Sequence, residues 1–162
     1  MGNDKGRIIA ISISTRKGIP KANVPSARLV ENFGLEGDAH AGNWHRQVSL
    51  LALESIEKMR AKGLPSLRPG AFAENLTTEF LNLPVIKVGT RIKIGHEAEI
   101  EITQIGKECH THCAIYQKTG DCIMPREGIF ARVIKPGKIF IGDEILVLNE
   151  IETELKKERQ EY

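Results

Sequence analysis

The run PVIKVGTRIKIGHEAEIEITQI, residues 84–105, decides the fold class. Isoleucine and valine alternate with lysine, threonine, arginine and glutamate, and Gly89 and Gly95 interrupt the run. That is the pattern of short strands with one buried face. The run divides into Val85–Val88, Thr90–Ile94 and Ala98–Ile105, with His96 between Gly95 and Glu97 as a hairpin-turn residue. The same texture returns at Ile129–Ile134 and Lys138–Leu148. Five strands in this half predict a closed or nearly closed sheet, because closure into a barrel removes the edges that short strands otherwise expose.

Toward the amino terminus, Arg7–Ser14 alternates as a half-buried strand with Ile9, Ile11 and Ile13 on one face. Lys17-Gly18-Ile19-Pro20-Lys21 reads as a turn. Gly34, Gly37 and Gly42 then punctuate a segment holding Asp38, His40, Asn43, His45, Arg46 and Gln47, whose polar density predicts a surface loop. Ser49 is placed to cap a helix carrying Leu50, Leu53, Ile56 and Met59, with Glu54 and Lys58 four apart and Gly63 and Pro65 as stop signals. The expectation is a mainly β protein with one main helix. One domain spans 7–148, and residues 149–162 form a charged tail, either a frayed helix or a solvated end.

The 162 residues suit a single core, and 41% hydrophobic with 27% charged residues is the balance of a globular chain. Lys and Arg number 23 against 21 Asp and Glu, too even a mixture for a dedicated nucleic-acid binder. No stretch reaches the roughly 18 apolar residues of a membrane helix, and Met1–Gly6 lacks the features of a signal peptide. A cytoplasmic location is expected.

Chemistry concentrates in GKECHTHCAIYQKTGDCIMPREG, residues 106–128. All three cysteines, Cys109, Cys113 and Cys122, fall here, with none elsewhere to cross-link the fold. The thiolate is both nucleophile and metal ligand, and Lys107, His110, His112 and Arg126 offer the positive field that favours it. Two readings compete: burial of the cysteines as small hydrophobes, and a structural zinc site built from Cys109, His110, His112, Cys113 and Cys122. The absence of a second, distant ligand pair argues against zinc.

Other candidates are weaker singly. Asp38 and His40 offer a carboxylate and an imidazole between glycines, or else Asp38 merely turns on its own backbone. Arg46 has the geometry to hold a phosphate, or to make a surface ion pair. Glu74 and Asn75 sit side by side in PGAFAENL, where the amide either reads a heterocycle edge or pins a loop.

Taken together, GLEGDAHAG at 34–42, RQVSLL at 46–51, PGAFAENL at 69–76, VGTRIKIG at 88–95, GKECHTHCAIYQ at 106–117 and GDCIMPREGIFARV at 120–133 resemble the MOSC domain. This is the domain at the carboxyl end of molybdenum cofactor sulfurases, found also as small stand-alone bacterial proteins. The resemblance covers about Arg7 to Leu148. It implies a barrel-based fold and a cysteine that carries sulfur as a persulfide or ligates molybdenum in a bound molybdopterin cofactor. That role falls to Cys113 or Cys109, with Cys113 favoured and Cys122 a third or resolving thiol. Asp38, His40, Arg46, Glu74, Asn75 and Arg126 would line or support the pocket. Phe80 stands where the family's turn implies a glycine.

The chain contains no pyridoxal phosphate domain and no ferredoxin-like cysteine set. Sulfur would therefore come from a cysteine desulfurase-type donor, or the cofactor would pass to a molybdoenzyme partner. The resemblance leaves three functions open: sulfur carriage or cofactor sulfuration, reduction of N-hydroxylated substrates at bound molybdenum, and non-catalytic cofactor delivery.

Overall fold

A computed structural model describes residues 5–81, 86–106, 123–148 and 158–159. Among them run eleven strands and two helices: β1 (Lys5–Ile13), β2 (Ala22–Val24), β3 (Ser26–Val30), β4 (Gly34–Leu35), β5 (Val48–Ala52), α1 (Leu53–Ala61), β6 (Leu76–Glu79), β7 (Arg91–Ile94), β8 (Ala98–Ile105), α2 (Met124–Glu127), β9 (Ile129–Lys135), β10 (Gly137–Phe140) and β11 (Glu144–Val147). The main sheet runs β11-β7-β8-β9-β5-β6-β1-β2, and β11 also pairs with β1. That last pairing closes seven strands into a barrel, with β2 attached outside the ring. Strands β10, β3 and β4 form a separate small sheet.

Alternation along the strands sets what lies inside the barrel. On β8, Ala98, Ile100 and Ile102 join the main core, as do Ile92 and Ile94 on β7, Ile129, Ala131 and Val133 on β9, and Ile145 and Val147 on β11. The expected hairpin at 95–97 joins β7 to β8, with His96 exposed. The long run Lys138–Leu148 is two strands, β10 and β11, separated by Gly142 at φ 93°. Ile86–Val88 is not strand. Residues 82–85 lie outside those described.

Three local expectations fail for identifiable reasons. The pairing of β1 with β6 shifts register between Ile8 and Ala10, so a bulge breaks the period of two. Ile8 and Ile11 enter the core in place of an unbroken Ile9, Ile11, Ile13 face. Ser49 does not cap a helix: it lies within β5, and α1 begins at Leu53 after Ala52, which makes no side-chain cap. Leu50 and Leu53 mimic helical spacing across what is a strand-to-helix junction. Glu54 and Lys58 do not pair with one another in the described bonds. Glu54 accepts from the N–H of Phe80, and Lys58 bonds Glu127 at 3.0 Å.

β5 is buried on both faces, and this places the site. Val48 and Leu50 point into the barrel core. Leu51 belongs instead to a second cluster with Ile56, Met59, Phe72, Ile123, Met124 and Phe130, formed where α1 and α2 cover the barrel wall. The helix is also the crossover that lets β5 and β6 pair in parallel. Of the charged tail only Glu158 and Arg159 are described, and a C-terminal helix is not shown.

Closure by apolar strands predicts a sharp contrast between two positions on one hairpin. Ile100→Ala, at a fully buried site, should lower stability by about 2–5 kcal/mol in urea unfolding. His96→Ala on the exposed turn should change it by no more than about 0.5 kcal/mol.

Candidate functional site: a cationic cleft on the barrel wall

A cleft of about 240 Å³ opens over the second core, lined by Lys17, His40, Trp44, Arg46, Ser49, Phe72, Ala73, Asn75, Met124 and Phe130. Four parts of the chain build it: Lys17 from the connection between β1 and β2, the loop between β4 and β5, the PGAFAEN turn before β6, and the wall of β5, α2 and β9.

The loop is organised by a buried ion pair. Lys21 Nζ lies 2.7 Å from Asp38 Oδ1, with both side chains fully buried. Asp38 Oδ1 also accepts from the backbone N–H of Ser14 at 3.1 Å, and Oδ2 from that of His40 at 3.1 Å. The second bond is the local turn expected of an aspartate two residues ahead of its donor. So Asp38 is neither a surface residue nor only a turn former. Burial pushes its carboxyl up, but the bonds from Lys21 and Ser14, the lysine charge and the Asn75 amide together outweigh that, holding the pKa below 3.8.

His40 follows from this arrangement. Its Nδ1 is 2.9 Å from Lys21 Nζ, and its carbonyl accepts from Trp44 Nε1 at 2.7 Å. Trp44 thereby becomes a fixed platform. The Arg46 guanidinium stacks 4.7 Å from the Trp44 ring and 5.7 Å from the Phe130 ring, while Lys17 Nζ stands 5.2 Å from the same tryptophan. The buried Nε of Arg46 has no hydrogen-bond partner among the described residues. A buried guanidinium N–H without an acceptor is costly, and a site that holds one between aromatic faces is suited to an anion.

The PGAFAEN turn supports the wall and gives Phe72, Ala73 and Asn75 to its lining. Glu74 is fully buried and accepts from the N–H groups of Gly70 and Phe72 at 2.9 and 3.1 Å and from Thr77 Oγ1 at 3.0 Å. Burial outweighs these bonds and raises its pKa above 4.5. Asn75 pins strands: Oδ1 accepts from the N–H and Oγ of Ser49, and Nδ2 donates to the Ser12 carbonyl. Those bonds engage its amide in pinning the strands, the second of the two roles open to it from the sequence. Gly70 has no alternative, since at φ 96° a Cβ would lie 2.4 Å from the Lys21 carbonyl oxygen.

Of the residues expected at a site, His40, Arg46 and Asn75 line the cleft, Asp38 stands behind His40, and Glu74 holds the turn. Arg126 is exposed on α2 and does not line it. Cys109, Cys113 and Cys122 lie outside the described residues, as do Lys107, His110 and His112. The segment that carries them leaves from Gly106 and returns at Ile123. Gly106 N–H bonds the Gly128 carbonyl at 2.7 Å, and Met124 lines the cleft. Lys21, Trp44, Phe72, Met124 and Phe130 were not foreseen. Trp44 carried a signal, as the single tryptophan of the chain set in a glycine-punctuated loop.

Among the described residues, no group of three His, Cys, Asp or Glu side chains could hold a metal ion. No helix there is long and apolar enough to cross a membrane.

A seven-stranded barrel with a cationic, aromatic cleft on its flank defines the class of protein. The model of the MOSC domain matches residues 36–146, and the chain belongs to that family, which is associated in general with binding the molybdenum cofactor. Solved structures agree on the fold. The YuaD protein of Bacillus subtilis superposes with a TM-score of 0.74 at 19% identity, covering 88% of this chain and 95% of that one. YiiM of Geobacillus stearothermophilus gives 0.68 at 18%, covering 89% and 75%, and YiiM of Escherichia coli gives 0.62 at 21%, covering 89% and 70%. No curated protein sequence matches the chain.

The two buried carboxyls beside the cleft, Asp38 and Glu74, act on stability in opposite senses. Asp38 has a lowered folded pKa, so its contribution is present above 3.8 and is lost as pH falls through the folded value. Glu74 has a raised one, so its contribution is full below 4.5 and declines as pH rises through the folded value. Urea unfolding of Asp38→Asn across the acid range should therefore show a shallower loss of stability below pH 3.8 than the wild type shows.

Proposed function

We propose that the cleft receives the phosphate-bearing end of a molybdopterin-type cofactor, and that Cys113, or else Cys109, handles sulfur or molybdenum beside it. The single observation that carries this reading is Arg46, whose buried Nε has no acceptor among the described residues while its guanidinium lies against the rings of Trp44 and Phe130. A planar guanidinium is the group that best matches phosphate oxygens. Lys17 adds a second charge at the mouth.

The donor set fits such a group. Phosphate oxygens would meet Arg46 and Lys17, and a flat heterocycle would meet the walls of Trp44, Phe72 and Phe130. The volume of about 240 Å³ falls below the roughly 300–1,000 Å³ of pockets for drug-sized ligands, so the cleft takes one end of the cofactor. Softer ligands suit molybdenum and sulfur, and the thiols of 107–122 belong to a segment whose two flanks are tied together beside Met124. When bound, the cofactor would supply a molybdenum centre able to take a sulfur or thiolate ligand.

Sulfur carriage needs an external donor. A cysteine desulfurase-type partner bearing its own persulfide would give up the terminal sulfur to the Cys113 thiolate. The partner would leave as a thiolate, and this chain would hold the persulfide.

Native mass spectrometry after incubation with the cofactor checks the binding half. Arg46→Ala should weaken binding about tenfold or more, the effect of removing a charge-assisted contact. Incubation with a persulfide donor checks the other half: added sulfur should appear on the wild type and disappear in Cys113→Ser or Cys109→Ser. Equal cofactor affinity in Arg46→Ala, or sulfur retained when both cysteines are replaced, contradicts the respective half.

A further inference from the structure

A second groove, of about 490 Å³, lies on the outer wall of the barrel, and Trp44 is the one lining residue it shares with the cleft. Its volume falls within the roughly 300–1,000 Å³ of small-molecule sites. Alternation sets its floor: Ile100, Ile102, Ala131 and Val133 fill the core, which turns Glu101 and Arg132 outward. Glu101 is the one carboxylate among the described lining residues, and both its oxygens are engaged. Oε1 accepts from Arg91 Nε at 3.2 Å, while Oε2 accepts from Arg132 Nε at 3.2 Å and Nη2 at 2.9 Å. Arg132 therefore uses one edge of its guanidinium. The other edge, Nη1 with the second proton of Nη2, has no partner among the described residues, and the side chain is 48% exposed.

His45 supplies an acceptor to the same groove. Gln104 Nε2 donates to the Gly106 carbonyl at 2.8 Å, which fixes the amide, since the flipped form would set oxygen against oxygen. The Gln104 oxygen thus faces His45 Nε2 at 2.9 Å, so that nitrogen carries the proton and the neutral ring keeps a lone pair on Nδ1, which has no partner among the described residues. The His45 carbonyl is held in turn by Thr103 Oγ1. An exposed histidine is thus fixed at both its ring and its backbone. Val88, 64% exposed, and the Trp44 indole add apolar surface. We propose that this groove is a second small-molecule site, which takes an aromatic carboxylate. The acid meets the open edge of Arg132, the geometry at which a guanidinium holds a carboxylate through two parallel bonds. The ring lies against Val88 and Trp44, and an O–H or N–H of the ligand donates to His45 Nδ1. The site stands whatever the cleft itself binds.

Isothermal titration with 4-hydroxybenzoate, which carries a carboxylate, a ring and an O–H donor, tests the site. The wild type should bind it, and the neutral 4-hydroxybenzamide should bind about tenfold or more weakly, the loss of a charge-assisted contact. Benzoate, which lacks the donor, should bind several-fold more weakly than 4-hydroxybenzoate. Arg132→Gln should bring the affinity for the acid down to that for the amide, and Arg91 still holds Glu101 in that variant. Arg46→Ala, at a residue that lines the cleft and not the groove, should leave the affinity within about twofold. Absence of saturable binding at millimolar concentration, or equal affinity for acid and amide, overturns the proposal on the wild type alone, even if Arg132→Gln fails to fold. A folded Arg132→Gln with unchanged affinity overturns it too, as does loss of binding in Arg46→Ala, which would put the carboxylate in the cleft. Equal affinity for benzoate and 4-hydroxybenzoate overturns the part given to His45.

Discussion

The contact on which the site depends is the 2.7 Å ion pair between Lys21 and Asp38, both side chains shut away from water. Removing two charges from water costs several kcal/mol each, and attraction offsets this only where the remaining donors and acceptors are also satisfied. Here they are. The lysine spends all three protons, and the carboxylate takes the N–H groups of Ser14 and His40 in addition to the ammonium. Replacing such a pair by apolar residues is often neutral for stability, so its presence is better explained by what it orients. The loop between β4 and β5 has little apolar material of its own, and the pair ties it to Lys21, at the start of β2.

The barrel supplies the rigid side of that bargain. β5 presents Val48 and Leu50 to the interior and Leu51 to the outer core, which leaves Ser49 to face the cleft and engage Asn75. Phe130 on β9 alternates in the same way, outward between Ile129 and Ala131. The cleft therefore stands on two paired strands whose side-chain directions are fixed by the core beneath. Its loops are held by backbone contacts too close for another residue, as at Gly70.

Much of this was legible in the residues. Strands β7, β8 and β9 announced themselves because apolar and polar residues alternate along much of them in the sequence, even where the polar ones, such as Glu99 and Glu101, are buried. β5 did not, because it is buried on both faces and runs straight into α1, so its leucines joined the helical pattern. The bulge in β1 is invisible to a period of two. His40 and Arg46 were picked out by residue type and by glycine punctuation. Lys21 was not, because a lysine that follows a proline and closes a glycine-containing turn reads as exposed, and only the tertiary placement of Asp38, 17 residues on, gives it a buried partner. Phe80, where the family pattern implies glycine, does sit at φ 70°, the left-handed region, and its ring lies against Arg7. A side chain is tolerated there because it finds a partner at the surface.

Trp44 is the chain's one tryptophan and forms a wall of the cleft, so its fluorescence reports on that place. Titration of the protein with molybdenum cofactor, followed by Trp44 emission, tests the central claim most directly. A saturable change at one equivalent, weakened by Arg46→Ala, is the result the cleft geometry predicts. Cofactor that binds with no change in Trp44 emission, or with the same affinity when Arg46 is gone, would place the cofactor elsewhere and contradict the account.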